Sequence, residues 1–299
     1  MEYKGDKAMA IQYGLLTKEQ LNAVSHVLPE VEQVAAVGNA YAIGAAQDNC
    51  ICGVLIFRTD GELLIDIQYI AVVEEYRQQG IANGLIDFLC KSAWESTTAV
   101  MCTFAAENWD APLCRLFIRR GDFTLTESES YICRFPCREL PQIKWNVALP
   151  SNLRITTFYD LPELAQRRMI NEMKNTSPAF AAGIGEDREQ MLCPFCLCAV
   201  DSLMNVQAVV FCQQQDQDVE LSLAYGLPGQ SKALVALLVR LRELVIRSGD
   251  RFADLQIAAV TSQSRKLIDK LLPQREIISK FYTACWDMNT MGGEEDAGE

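Results

Sequence analysis

The stretch EYRQQGIANGLIDFL, residues 75–89, decides how the first half of the chain is interpreted. An apolar run precedes it, and its polar, glycine-bearing turn leads at once into an amphipathic segment. Four apolar residues recur at helical spacing and predict a helix with one buried face: Ile81, Leu85, Phe88 and Leu89. The first N–H groups of such a helix lack helical acceptors and, together with the helix dipole, favour an anion. The sequence therefore predicts a phosphate site at this turn.

Strand-like segments lie on both sides of that stretch. AYAIGAA, CICGVLIFR and ELLIDIQYIAV come before it, and AVMCTFAA comes after it. Thr17 with Gln20 gives a capping box for an early helix. A second short helix is predicted to begin at Asn108 and to stop at Gly121. FTLTESESYICRF then predicts a hairpin of two short strands.

The order of strands and helices recurs in the second half of the chain. The strand before the long helix ends near Val72 and Tyr225, and the strand after it ends near Ala106 and Val260, so the separations are 34 and 35 residues (106 − 72 and 260 − 225). This repeat predicts two tandem domains of one fold. The predicted boundaries are 1–136 for the first domain, 137–152 for a proline-bearing linker, 153–290 for the second domain and 291–299 for a disordered acidic tail.

Composition favours a soluble protein of the cytoplasm. The formal net charge of −12 and the lack of a basic stripe argue against a nucleic-acid partner. No apolar run reaches the length of a membrane span, and the start of the sequence lacks the pattern of a secretory signal. The twelve cysteines lie mostly in apolar runs, which indicates buried reduced thiols rather than a disulfide framework.

Residues 70–86, IAVVEEYRQQGIANGLI, resemble the acetyl-CoA signature of the GNAT N-acetyltransferases. The hexad from Arg77 to Ala82 fits the family pattern [QR]-x-x-G-x-[GA], and AAEN and CRLFIRRGDF follow at a suitable distance. The resemblance covers the first half well and the second half in outline only. It implies an α/β (α+β) protein of two tandem GNAT-like domains, the second degenerate. Each would be a mixed, mostly antiparallel twisted sheet flanked by helices.

The resemblance also assigns residues to acetyl-CoA. Backbone amides of Gln78, Gln79, Gly80, Ala82 and Asn83 would hold the diphosphate, with Arg77 and Ile81 in the same turn. The backbone of Ile70, Ala71 and Val72 would bind the pantetheine arm where this strand separates from its neighbour. Asn108 and Phe117 complete the expected cofactor contacts, although Asn108 is equally well explained as a helix cap.

The catalytic groups match the family less closely. Gln68 stands where many relatives carry a glutamate base, and Asp66, two residues earlier, is either its replacement or a solvated carboxylate. Phe117 stands where relatives place a tyrosine. Tyr131 or Tyr69 is then either the source of a phenol or a packing residue. The N–H of Val72 is the candidate donor to the oxyanion.

The resulting prediction is an N-acetyltransferase that acts on a primary amine of a small molecule or a peptide. It would work as a monomer or homodimer, with no membrane and no nucleic acid as partner. The alternative is a non-catalytic acyl-CoA-binding or interaction module that kept the cofactor turn. The second half carries a shorter turn at Gly229–Lys232, which is either structural or a second phosphate site. Cys193, Cys196 and Cys198 lack further ligands of suitable spacing, so no metal site is predicted.

Overall fold

The computed structural model describes residues 10–36, 40–48, 50–61, 63–93, 96–145, 147–174 and 191–288. Two compact units divide the chain. The first comprises residues 1–128 and 281–299, and the second comprises residues 129–280. The predicted disordered tail, residues 291–299, lies outside the described residues.

The elements follow one another in nearly the predicted order. The first part of the chain forms β1 (Gln12–Leu15), α1 (Lys18–Ser25), α2 (Glu30–Ala36), β2 (Ala40–Gln47), β3 (Cys50–Asp60), β4 (Leu64–Val72), α3 (Ile81–Ser92), β5 (Ala99–Ala106), α4 (Pro112–Arg120) and β6 (Thr124–Pro136). The second part forms β7 (Arg154–Thr157), α5 (Glu163–Lys174), β8 (Leu197–Val200), β9 (Val206–Gln215), β10 (Asp218–Gly226), α6 (Ser231–Arg247), β11 (Asp254–Ala259), α7 (Ser262–Leu271) and β12 (Glu276–Asp287).

The sheet of the first unit has the strand order β1-β2-β3-β4-β5-β12. Strands β1 to β4 are antiparallel neighbours, whereas β4 and β5 run parallel. Helix α3 packs on one face of this sheet through Ile81, Leu85, Ile86 and Leu89, all buried. Each such side chain contributes about 1.5–3 kcal/mol through burial. Gly53 on β3 permits this close approach, because a Cβ there would lie 2.8 Å from the Cγ2 of Ile81.

The sheet of the second unit has the strand order β6-β11-β10-β9-β8-β7. Strands β10 and β11 run parallel, as β4 and β5 do in the first unit, whereas the pairs β6–β11, β9–β10, β8–β9 and β7–β8 are antiparallel. Helices α6 and α7 cover one face of this sheet. Helix α5 packs on a separate cluster that includes Met169, Met173 and Phe211. Both units therefore repeat an antiparallel sheet that contains one parallel pair.

Strand β6 corrects the prediction of a hairpin, because Thr124–Pro136 form one continuous strand. The boundary between the units falls inside this strand, at Ser128 and Glu129, and again inside β12, at Lys280 and Phe281. These positions differ from the predicted domain boundaries. The expected linker begins with a 3₁₀ turn, Cys137–Gln142, whose Cys137 and Leu140 are buried in the core of the second unit. The first part of the predicted linker thus contributes side chains to that core.

All twelve cysteines are free thiols, and eight of them are buried. This confirms the prediction of buried reduced thiols for most of the set, while Cys50 is exposed. Burial raises the pKa of Cys102 and Cys196 to about 12, so these thiols stay protonated. In the part of the chain that the structure describes, no helix is both long and apolar enough to cross a bilayer.

Candidate active site

The central feature of the first unit is a gap between its two parallel strands. Pairing of β4 with β5 covers Leu64–Ile67 and Ala99–Cys102 and then stops. Strand β4 continues to Val72 and β5 continues to Ala106. The two strands therefore separate at their carboxyl ends, at the edge of the sheet where the turn before α3 begins.

Backbone groups of β4 face this gap at alternate residues. Val72 lies opposite Gly53 on β3, and the N–H of Val73 donates to the carbonyl of Cys52 at 2.9 Å. This arrangement makes Val72 and Gly53 a non-hydrogen-bonded pair, so the N–H and C=O of Val72 point away from β3. The same alternation turns the groups of Ile70 into the gap and those of Ala71 towards β3. Of the three residues expected along a pantetheine arm, Ile70 and Val72 face the gap.

The turn after β4 presents a cluster of backbone N–H groups. Helix α3 begins at Ile81, and Gly80 is its N-cap with φ +81° and no side-chain hydrogen bond to the first turn. Gln78 also has a positive φ, of 64°. The first helical bond runs from the N–H of Gly84 to the carbonyl of Gly80 at 3.0 Å, which leaves the N–H groups of Ile81, Ala82 and Asn83 without helical acceptors.

The surroundings of this turn suit an anion. The first turn of α3 contains no acidic residue, and Gln78, Gln79 and Gly80 are exposed. A Cβ built on Gly80 would contact nothing within 4 Å, so the space beside Gly80 is open. Alternating left-handed residues in a turn orient consecutive N–H groups into an anion-binding concavity. Arg77 is exposed, and its Nε donates to the carbonyl of Val72 at 3.2 Å, so it caps the strand end beside this concavity.

A β-bulge at Gln68 reshapes the middle of β4. Ile67 pairs with Phe57 and Tyr69 with Ile56, so Gln68 is the extra residue. The bulge resets the alternation of side chains and places Asp66 and Tyr69 on the face opposite α3. Tyr69 accordingly packs with the cluster formed by α1 and α2.

Asp66 and Gln68 lie together on that face. The amide Nε2 of Gln68 donates to Oδ2 of Asp66 at 2.6 Å. Burial raises the pKa of Asp66 above its usual value, and the Gln68 hydrogen bond and the charge of Arg58 partly offset this rise. Arg58 is the register partner of Asp66 on β3. A carboxylate with a raised pKa is the stronger base once ionised.

Tyr69 is paired with Glu30 of α2. Its hydroxyl donates to Oε2 of Glu30 at 3.1 Å, and burial together with that carboxylate raises the pKa of Tyr69 to about 12. Glu30 and Arg58 were not predicted as site residues. The hairpin turn after Asp60 fixes the β3–β4 register, from which the pairing of Arg58 with Asp66 could have been deduced. The contact between Glu30 and Tyr69 depends on how α2 packs, which the sequence pattern does not specify.

Three predicted residues lie outside this group. Tyr131 belongs to the second unit, where its hydroxyl donates to Oδ1 of Asp269 at 2.8 Å and its pKa is raised to about 12 by burial and by that carboxylate. Phe117 is fully buried in the core, where its ring stacks on Phe104 and packs at a tilt against Phe123. Asn108 does not begin α4. Its Oδ1 accepts the N–H of Asp110 at 2.8 Å, and the helix starts later, at Pro112.

Comparison with known proteins agrees with this geometry. Residues 17–121 match the model of the Acetyltransferase (GNAT) family. The matched segment lies within the first unit. The matched segment runs from the N-cap of α1 to the glycine that ends α4, and it includes the gap and the turn before α3.

Solved structures extend the similarity of fold to the whole chain. A tandem GNAT protein from the clavulanic acid biosynthesis pathway is 11 % identical, with a TM-score of 0.63 over 93 % of this chain and 98 % of that chain. A GCN5-related N-acetyltransferase from Sphaerobacter thermophilus is 10 % identical, with a TM-score of 0.54 over 93 % and 95 %. A probable N-acyltransferase from Enterococcus faecalis is 12 % identical, with a TM-score of 0.58 over 92 % and 72 %. No curated protein matches the sequence.

The chain therefore has the fold of tandem GNAT proteins. In the second unit, the turn between β10 and α6 differs from the turn before α3. Residues 227–230 connect β10 to α6, a shorter link than residues 73–80 of the first unit. Gly229 has a φ of +79°, but Pro228 has no N–H and the N–H of Gln230 donates to the carbonyl of Leu227 at 2.9 Å. This turn therefore presents fewer free donors than the turn before α3.

Proposed function

We propose that the first unit is an N-acetyltransferase that transfers the acetyl group of acetyl-CoA to a primary amine of a small molecule or a peptide. The observation that supports this proposal most strongly is the pairing of two features at one edge of the sheet. The strands β4 and β5 separate there, and the open N–H groups of the α3 turn lie directly beyond the end of β4. The matched family model spans both features.

The residues of the site suit acetyl-CoA. A diphosphate carries the negative charge that the N–H groups of Gly80–Asn83 and the positive end of α3 favour. The gap-facing backbone of Ile70 and Val72 offers donors and acceptors of the kind that the amides of a pantetheine arm require. Acetyl-CoA supplies an activated acyl carbonyl when it is bound.

The chain's own groups then have separate tasks. The N–H of Val72 stabilises the oxyanion that forms on the acyl carbonyl. Asp66, six residues before Val72 on β4, takes through intervening water molecules the proton that the amine loses as its nitrogen bonds to the carbonyl carbon. CoA would leave as its thiolate when the carbon–sulfur bond breaks, and the thiolate would take a proton from solvent. Placing the amine against the carbonyl provides much of the rate enhancement, which lowers the demand for a strong general acid.

A non-catalytic CoA-binding module is the second candidate. It is favoured by Gln68, whose amide cannot accept a proton, and by Phe117, which is a core residue without a hydroxyl. Asp66 is the residue that distinguishes the two candidates, because only the enzyme needs its carboxylate. Under either candidate function we propose a cytoplasmic location, which the twelve free thiols support.

CoA release with a panel of amines tests the proposal, and Gly80→Glu tests the site. A glutamate at Gly80 adds a negative charge and a strained left-handed residue, so acetyl-CoA should bind at least about 100-fold more weakly by calorimetry. Gly80→Asn is the matched control, because asparagine accepts the left-handed conformation and carries no charge. Retained acetyl-CoA binding in the glutamate variant would refute the site. Tight binding with no turnover on any amine would instead identify the non-catalytic module.

A further inference from the structure

The second unit contains a cavity of about 890 Å³ between β10, α6 and α7. Its position follows from an interrupted ladder, since β10 pairs with β11 only over Val219–Leu221 and Leu255–Ile257. Strand β10 then continues to Gly226 beside the cavity. A volume of this size is typical of a small-molecule site.

The cavity is polar at one end. Parallel strands bring the carboxyl ends of β10 and β11 together, so the amino ends of α6 and α7 meet at that end. Gly226, Ser231, Thr261 and Ser264 line it. Gln230, the N-cap of α6, makes no side-chain capping bond, and neither helix has an acidic residue in its first turn. Two helix dipoles therefore direct positive potential to the same place.

The rest of the cavity is apolar and elongated. Its walls include leucine, isoleucine and valine side chains of both helices and both strands, among them Leu221, Leu238, Leu241, Val245, Ile268 and Leu272. The span along α6 from Ser231 to Val245 is about 21 Å at the helical rise. At the far end, Arg242 donates its Nε to the carbonyl of Leu140 at 2.9 Å and its Nη2 to that of Pro141 at 3.3 Å. This arginine is therefore already engaged, and the polar end is the better place for an anion.

The short turn before α6 is poorly suited to a diphosphate. Leu227 follows the strand where the first unit has a longer turn with Arg77, and Pro228 has no N–H. The open N–H groups of Ser231, Lys232 and Ala233 remain, since the first helical bond runs from Leu234 to Gln230. These three N–H groups and the apolar cavity behind them suit a ligand with one small anionic group and an apolar tail.

We propose that this cavity binds an aliphatic acyl chain, with its anionic or polar head at the start of α6 and its tail between α6 and α7. The acyl chain has two possible sources, a free fatty acid and a fatty acyl thioester, which share this chemistry. The site is separate from the acetyl-CoA site of the first unit and does not depend on the function proposed there.

Calorimetric titration of the full chain with dodecanoate tests this proposal. Dodecanoate should bind with one site per chain, and Leu267→Trp, which fills the cavity between the helices, should weaken it at least about tenfold. Leu203→Trp is the matched control, because Leu203 is 80 % exposed in the same unit. Lys232→Glu leaves the cavity open and should weaken dodecanoate about fivefold by opposing its charge. Thermal unfolding confirms that each variant is folded.

The competing outcomes are distinct. Absence of saturable binding, or equal binding in Leu267→Trp, would overturn the proposal, and so would displacement of dodecanoate by CoA that carries no acyl chain. The Gly80→Glu background weakens CoA binding to the first unit and separates the two sources. Displacement by dodecanoyl-CoA in that background would support a thioester, and resistance to it would support the free acid.

Discussion

Asp66 is the residue on which the chemistry of the first unit depends. Its carboxylate is partly buried on β4, accepts a hydrogen bond from Gln68 and lies opposite Arg58. Burial makes the largest contribution and raises the pKa of Asp66. Raising a carboxyl pKa favours the protonated form in the folded state. The ionised form that a base requires therefore appears only above a higher pH than for an exposed aspartate.

Asp66→Asn should remove the base without harming the fold. We expect kcat/KM to fall at least about 100-fold, the usual size of a general-base effect. In the natural protein, activity should decline as the pH falls through the raised pKa of Asp66, and the variant should lose this dependence. The pH–rate profiles of both proteins check this. A variant with normal activity would assign the proton to another group.

The stability of the same variant gives an independent check. A folded pKa above the unfolded value contributes stability at low pH, and this contribution is lost as the pH rises through the folded pKa. At neutral pH the ionised carboxylate of Asp66 therefore destabilises the folded state. Asparagine removes this charge, and its Oδ1 can still accept the hydrogen bond from Gln68. The melting temperature of Asp66→Asn at neutral pH should equal or exceed that of the natural protein. A lower value would mean that the carboxylate stabilises the fold.

At this scale the positions of open backbone N–H groups can be predicted from the sequence more readily than the contacts of side chains. The N–H groups of residues 78–83 follow from a local pattern, because a glycine turn before a helix leaves the same donors wherever it occurs. The contact of Asp66 with Gln68 depends on a bulge at Gln68, which is set by strand pairing, whereas the pairing with Arg58 follows from the hairpin register. Phe117 was expected at the cofactor, and the structure places it in the core. The helical spacing of apolar residues on α4 does not distinguish a side chain that faces the core from one that faces a ligand.

Among the elements, helices α3 and α4 are linked by the side chain of Arg120. Its side chain is 9 % exposed and contacts Asp122 at 2.6 Å and Asp87 at 2.8 Å, while Nη1 also donates to the carbonyl of Asn83 at 3.3 Å. Asn83 belongs to the first turn of α3. The network therefore fixes the helix whose amino end forms the candidate phosphate site.

Arg120→Met should destabilise the first unit by about 1–3 kcal/mol, because it leaves two carboxylates without their partner. The penalty is below that of a fully buried pair, since Asp87 and Asp122 remain partly exposed. Arg119→Met is the matched control, because the neighbouring Arg119 is exposed, and it should change stability by less than about 0.5 kcal/mol. Urea unfolding of both variants measures the difference. Equal stabilities would show that the network is dispensable.

Elements with a strong local signal were predicted, whereas elements set by distant pairing were not. The strand–turn–helix order around residues 64–92 follows from the spacing of apolar residues and from the glycine-bearing turn between them. Helix α4 ends at Gly121 as predicted, with φ +76°. The segment that forms β6 was expected to be a hairpin of two short strands. The structure pairs the end of this strand with β11, from Tyr131–Ala259 to Pro136–Asp254, and no local pattern specifies a partner that far along the chain.

At the scale of the whole molecule, the first unit is completed by the end of the chain. Tyr282 and Ala284 are buried in its clusters, and Trp286 packs against one of them. The hydroxyls of Thr103 on β5 and Thr283 lie 3.1 Å apart, and the N–H of Met288 donates to the carbonyl of Thr98 at 2.9 Å. Residues 1–136, the predicted first domain, thus lack a strand that their own sheet uses.

Ending the chain after Lys280 should therefore unfold the first unit, although every residue of the proposed acetyl-CoA site remains. The loss of Tyr282 and Trp286 removes about 3–6 kcal/mol of burial, a large part of the 5–15 kcal/mol typical of a domain, and it exposes the edge of β5. A chain ending at Met288 keeps all of these contacts and is the control. Thermal unfolding with and without acetyl-CoA compares the two. If the shorter chain melts like the control and is stabilised equally by acetyl-CoA, the carboxyl-terminal strand is not part of the first unit in solution.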